Sequence, residues 1–302
     1  MKRAGCLVLS FVAVAPLATA AVYFLSPDDK QDDGAGPRPI ASAPARPGNQ
    51  SEAERKADDK AIASLPPGLA APEKKELAQQ IVASAENSTL DWRGQYGYIE
   101  DIDDGQGYTA GIIGFCTGTH DLLTLVERYT KAHPDNGLAR YLPALREVDG
   151  TDSHEGLDPG FTAAWKQEAT HKAFRDVQEK ERDRGYFDPA VRLAKLDGLG
   201  TLGQFIYYDA MVLHGPGTGP HGFYGLREAA LKEADTPAQD GREKAYLDVF
   251  LDLRRKAMKS KNPDRDTTRI DTAQRQFLYD GNLSLKTPLT WKVYGETFRI
   301  PG

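Results

Sequence analysis

The pattern of apolar and polar positions changes character several times along the chain. An almost unbroken apolar run extends from Leu7 to Leu25, behind Lys2 and Arg3. Between Pro27 and Ile62 the only large apolar residue is Ile40, and Ala, Pro, Gly, Asp and Lys dominate residues 26–67. A segment of that kind has little to bury and predicts a flexible, disordered linker, extended near its prolines. Helical periodicity begins at Pro72, a favourable first helical residue. Glu73 and Glu76 follow in the first turn, and Leu77, Ala78, Ile81, Val82 and Ala85 form one apolar face. Asn87, Ser88 and Thr89 are poor residues for a helix interior, so this helix is expected to stop close to Glu86.

Partial alternation and aromatic content at Trp92, Tyr96, Tyr98, Ile99 and Ile102 predict a short strand or hairpin, the start of a small β element near residues 92–115. An acidic, glycine-containing turn spans residues 101–107. Beyond it helical patterns dominate, at 121–131, 138–148, 162–181, 189–213, 225–234, 241–260 and 268–278. Long helices with few strands predict a mainly α, or α+β, domain. No internal repeat of fixed period is present.

Composition sharpens this picture at a few points. With 302 residues, 40% of them hydrophobic and 27% charged, the chain can support one globular domain of roughly 200–250 residues plus extensions. Ala18-Thr19-Ala20 supplies the small-x-small pattern of a cleavage site, so residues 1–25 read as an export signal. The same run approaches the ~20 residues that span a bilayer, which leaves an uncleaved anchor on the outer face of the membrane as the alternative. Cys6 lies within the signal, so Cys116 is the only cysteine left after processing and no intramolecular disulfide can form. A buried apolar thiol is its ordinary role. The formal net charge of −6 disfavours nucleic acid as a partner and suits a cationic ligand.

Candidate chemistry begins at Glu86, beside an apolar stripe at the end of a helix that carries partial negative charge. Both the helix end and burial would favour its protonated form, as a general acid requires; a surface glutamate is the bland alternative. Asp101, Asp103 and Asp104 before Gly105 suggest a calcium loop, but the register fails. Counting from Asp101, Gly105 stands where an oxygen ligand is needed, Gln106 where glycine is needed, and Ile112 where glutamate is needed. The glycine-rich segment His214-Gly215-Pro216-Gly217-Thr218-Gly219 follows a helix and lacks the lysine of a phosphate loop, so it reads as a helix stop able to approach a ligand. The histidines show no zinc spacing, and no cofactor or metal is called for.

Residues 83–118, ASAENSTLDWRGQYGYIEDIDDGQGYTAGIIGFCTG, resemble the active-site segment of family 46 chitosanases. The resemblance continues through Tyr141-Leu142-Pro143-Ala144-Leu145, ERDRGYFDPAV at 181–191, GQFIYYDAMVLHGPG at 203–217 and Trp291-Lys292-Val293-Tyr294-Gly295. It covers about residues 70–300, within a catalytic domain expected at 68–302. It implies a lysozyme-like fold of two mostly helical lobes flanking a cleft. It also implies a secreted, monomeric, endo-acting enzyme that hydrolyses β-1,4 links between glucosamine units with inversion. Chitosan and its oligosaccharides are then the partners, with no lasting membrane contact once the signal is cleaved.

Carried residue by residue, the resemblance puts the general acid on Glu86, the general base on Asp104 and the water-positioning hydroxyl on Thr109. It puts substrate binding on Asp121 and His214, and a supporting charge network on Asp209, Arg254 and Arg269. An amine-binding Asp121 at a helix N-terminus would be helped to stay ionised. Gln106 stands where an arginine can occur beside the base, and Lys261 where an acidic residue can help hold the sugar; both bear on subsite preference and pH optimum. Trp92, Trp165 and Trp291 are candidate sugar platforms, although core positions are commoner for tryptophan in helical domains.

Overall fold

The computed structural model describes residues 51–302, apart from the side chain of Lys261. The apolar run at 1–25 and the linker as far as residue 50 lie outside the described residues. The first described element corrects the expected extent of that linker, because Glu52–Ala63 form helix α1. Ser51 and Glu54 make a reciprocal capping box: Ser51 N donates to Glu54 Oε2 at 2.8 Å and Glu54 N to Ser51 Oγ at 3.3 Å. Alanine, lysine and glutamate are strong helix formers, so a segment with nothing to bury is helical all the same. No residue of α1 is buried. Arg192 tethers the helix by donating to Asp59 Oδ1 at 3.0 Å.

Helix α2, Pro72–Glu86, has the bounds the apolar stripe predicts, and Leu77, Ala78, Ile81, Val82 and Ala85 are all buried. Trp92 then falls in a 3₁₀ turn, Trp92–Gln95, rather than in a strand. The small sheet starts later, with β1 Ile99–Asp101, β2 Tyr108–Ala110 and β3 Phe115–Cys116 in antiparallel order. Asp101 pairs with Tyr108, so the acidic segment 102–107 is the connection that folds β1 onto β2.

A first group of helices surrounds this sheet: α3 Asp121–Ala132 and α5 Phe161–Glu168 pack on it, and α4 Leu142–Val148 and α6 Lys172–Arg182 pack on α3. The continuous helix expected at 162–181 is broken between α5 and α6. The chain passes through a π-helical turn, Asp183–Phe187, into α7 Asp188–Leu196 and α8 Thr201–His214. The helix expected at 189–213 is thus also two, with the break at Asp197–Gly200. Gly198 there has φ +75°, and a Cβ on it would meet Ala238 N at 2.9 Å.

Every residue of α8 from Leu202 to His214 is buried. It forms the axis of a second group made by α2, α7, α9 Phe223–Glu233 and α10 Glu243–Lys261. A helix that is apolar nearly all round has to be enclosed in this way. After α10 come a π-helical turn Ile270–Gln274, α11 Arg275–Tyr279 and an unpredicted hairpin of β4 Leu289–Val293 with β5 Glu296–Ile300. The fold is therefore mainly α with two small sheets.

All three tryptophans belong to the core, which withdraws them as sugar platforms. Trp165 Nε1 donates to Tyr96 O and Trp291 Nε1 to Ser84 Oγ, each at 3.0 Å, and Trp92 Nε1 reaches Glu76 Oε1 at 3.1 Å.

Candidate active site

Helix α2 ends where its carbonyls run out of partners, and Glu86 is its last residue. Ser88, two residues on, takes a positive φ of 52° and turns the chain away. The Glu86 carboxylate, nearly enclosed, accepts from Arg269 Nη1. Burial pushes its pKa above the ordinary glutamate value, and the Arg269 charge and hydrogen bond oppose this without cancelling it. Asp209, behind the arginine, adds to the upward push.

Arg269 belongs to a buried cluster assembled from three parts of the chain. Asp209 of α8 accepts from Arg269 Nε at 2.9 Å, from Arg254 Nη2 of α10 at 2.7 Å and from Gln274 Nε2 at 2.5 Å. Gln274 also accepts from Arg254 Nη1 at 2.6 Å, which ties the ends of the cluster together. Burial alone would raise the Asp209 pKa, yet the two guanidinium groups outweigh it and hold the carboxyl below the usual aspartate value. The structure brings Asp209, Arg254 and Arg269 together behind Glu86 and adds Gln274, which the sequence did not disclose.

Asp104 sits in the connection between β1 and β2. Its Oδ1 accepts from Gln106 N at 3.0 Å, a tight local turn. Its Oδ2 is buried and receives no hydrogen bond from the described residues. Burial raises the Asp104 pKa, the Gln106 N–H opposes, and the charge of Asp101 adds to the rise. Arg265, in the segment between α10 and the second π turn, lowers both Asp104 and Glu86 by its charge. No periodicity marks Arg265, which explains why it was missed.

Thr109 lies in the central strand β2, buried, with its hydroxyl 3.4 Å from Cys116 Sγ. Cys116 is a buried free thiol whose Sγ reaches Gly114 O at 3.1 Å.

An open cleft of about 870 Å³ runs between the two helical groups, with Gln106, Asp121, Glu181, Tyr186, His214 and Gly215 among its walls. Glu86 and Asp104 do not line this volume themselves. Asp104 adjoins it through Gly105 and Gln106, and Glu86 connects to it through Arg269 and α8, whose last residue is His214.

Asp121 differs from expectation. Its Oδ1 accepts from Cys116 N, Leu122 N and Thr119 Oγ1, and its Oδ2 from Tyr186 OH at 2.6 Å. Burial nevertheless raises its pKa, these bonds opposing, so position at a helix N-terminus does not decide the outcome. Tyr186, which lies in the quoted segment 181–191 but was given no role there, holds this carboxylate in the cleft wall. His214 is also more enclosed than a sugar-contacting residue would suggest. Burial, reinforced by the nearby charges of Arg254 and Arg269, drives its pKa well down and keeps it neutral.

The mainly helical fold thus carries an open cleft and, in different elements, two carboxyls raised by burial, Glu86 and Asp104. The family model for glycosyl hydrolase family 46 matches residues 80–289, and the chain belongs to that family. It is 57% identical over 233 residues to the chitosanase of Streptomyces sp. (strain N174), covering 77% of this chain and 84% of that one. The Gynuella sunshinyii family 46 chitosanase, solved with chitotetraose, matches with a TM-score of 0.72 at 31% identity, over 76% of this chain and 98% of that one. A glutamate-to-alanine chitosanase from Bacillus subtilis MY002, solved with 6 GlcN, matches with a TM-score of 0.71 at 36% identity, over 76% and 99%.

Proposed function

We propose that this protein is an endo-acting chitosanase that hydrolyses β-1,4 linkages between glucosamine units with inversion. Glu86 is the general acid that protonates the leaving oxygen, and Asp104 is the base that takes a proton from the attacking water. The observation that carries this reading is the unlike hydrogen bonding of the two carboxyls. Glu86 is held by Arg269 and favoured in its protonated form by burial, while Asp104 keeps one oxygen clear of protein donors. Single-displacement hydrolysis needs that division of labour, with the two carboxyls about 6.5–9.5 Å apart so that water fits between base and sugar.

Thr109 holds the water near the base. Asp121 attracts a glucosamine ammonium through a carboxylate fixed by Tyr186, and His214 closes the cleft at the end of α8. Asp209, Arg254 and Arg269 set the proton affinity of Glu86. Residues 68–302 act as the catalytic unit and residues 1–25 direct export. Among the described residues no helix is long and apolar enough to cross a membrane.

Reducing-end release tests the substrate assignment, with highly deacetylated chitosan, chitin and peptidoglycan assayed in parallel. Rapid endo-type cleavage of chitosan alone is the expected result. A folded protein that cleaves chitin or peptidoglycan at the same rate, or none of the three, contradicts it.

A further inference from the structure

His120 stands in a place that its own helix does not explain. It precedes α3 with φ +67°, a left-handed conformation that is uncommon outside glycine. Residues before a helix commonly cap it, yet the His120 side chain makes no capping bond to α3. Only the backbone serves the helix, through the carbonyl that accepts from Thr124 N at 3.1 Å. The imidazole is instead turned toward Asp149, which closes the C-terminus of α4, with Nδ1 and Oδ2 2.7 Å apart. The ring rests on Gly150, where a Cβ would meet His120 Cε1 at 3.0 Å.

Both members of the pair line the cleft, beside Asp121. The His120 side chain is 64% exposed and that of Asp149 is 20% exposed. The second Asp149 oxygen, Oδ1, is buried and has no hydrogen-bond partner among the described residues. Asp149 is therefore placed to act on the imidazole through Oδ2 rather than to reach a ligand. A carboxylate accepting from Nδ1–H fixes the neutral tautomer and leaves Nε2 as an acceptor. Among the described residues no hydrogen bond to Nε2 competes for it.

We propose that His120, oriented by Asp149, is a specificity-determining residue that reads the amino group of a glucosamine unit bound beside Asp121. Neutral Nε2 accepts a hydrogen bond from the sugar ammonium, and Asp149 contributes the negative charge behind it. An N-acetyl group offers no cation and adds bulk at that position. The other charged or titratable groups around the same cleft are Asp121 of α3, Glu181 of α6, Arg184 and Tyr186 of the first π turn, and His214 of α8. The inference rests on the chitosanase reading.

Steady-state kinetics on a glucosamine hexamer test it with wild type, His120→Gly and Asp149→Asn. Glycine accepts the left-handed backbone, so the first variant is expected to fold. At pH 7 it should raise KM about tenfold, a binding loss of about 1.4 kcal/mol, with kcat changed less than twofold. Asp149→Asn should raise KM in the same direction by about threefold, a loss of about 0.7 kcal/mol. An unchanged KM in a hexamer-cleaving His120→Gly protein overturns the role of His120 alone. A fall in kcat with KM unchanged overturns it too. A wild-type protein that does not cleave the hexamer overturns the chitosanase reading along with it.

Discussion

Replacing Glu86 with glutamine is expected to lower kcat on chitosan by about 10³-fold while making the protein more stable at neutral pH, because general acid catalysis typically contributes 10²–10⁴-fold. Glutamine keeps an oxygen that can accept from Arg269 Nη1, so the buried cluster stays connected. The gain in stability follows from the direction of the Glu86 shift. Its pKa is raised in the folded protein by burial, so the native state binds the proton more tightly than the unfolded chain does. The stabilising contribution of protonated Glu86 is complete below the unfolded value of about 4.3 and is lost as pH rises through the folded value. Glutamine undergoes no such loss. The melting-temperature difference between Glu86→Gln and wild type should therefore be small near pH 4 and grow toward pH 7.

Asp104→Asn is expected to lose activity on the same scale, with a carbonyl left to accept from Gln106 N. The acid must be protonated and the base ionised, so wild-type kcat/KM should be bell-shaped in pH. Burial raises both groups, which puts the acid limb above the ordinary aspartate value and the alkaline limb above the ordinary glutamate value. Kinetics with thermal melts across pH check all of this. A Glu86→Gln protein within tenfold of wild type would sink the assignment of the acid.

Asp209→Asn should show the second large effect, a destabilisation of about 3–5 kcal/mol with an acid-ward move of the alkaline limb. Asp209 is the shared counter-ion of Arg254 and Arg269, and all three side chains are at most 2% exposed. Removing one member of a buried ion cluster leaves uncompensated charge behind, which sets that magnitude. With Asp209 neutral, Glu86 becomes the main partner of Arg269 and its pKa falls. Denaturant unfolding measures the first consequence and the pH profile of residual kcat/KM the second. Loss of stability with the alkaline limb unmoved would reduce the cluster to a structural role and disconnect it from the acid.

How far the sequence spoke depended on whether a signal was local. Helix α2 was legible to the residue because a proline opens it, one apolar stripe fills it and Asn87-Ser88-Thr89 end it. The breaks within 162–181 and 189–213 were hidden by apolar periodicity that persists across them, although Gly198 and Gly200 marked the second. The hairpin β4–β5 carried its own signs: alternate burial of Leu289, Trp291 and Val293, and a turn at Tyr294-Gly295 with positive φ at both residues. A Ser-x-x-Glu cap likewise announced α1, but the low hydrophobicity around it favoured a linker.

Beyond Glu86 and the acidic turn around Asp104, the site was legible only through family resemblance. Glu86, Asp209, Arg254, Arg269 and Gln274 meet across up to 183 residues of chain, and no spacing rule reaches that far. Arg265 and Tyr186 escaped notice because isolated polar residues in connecting segments resemble any others until the fold brings them to a carboxylate. Asp121 was judged by its helix end alone, whereas enclosure among Thr119, Cys116, Leu122 and Tyr186 governs it.

The most direct test of the paired-carboxylate account is proton NMR of the first products released from a glucosamine oligomer, recorded before mutarotation. Attack by a water that Asp104 activates, on the face opposite the leaving group protonated by Glu86, must yield the α anomer at the new reducing end. A β anomer would mean a covalent intermediate and would contradict the roles assigned to both residues.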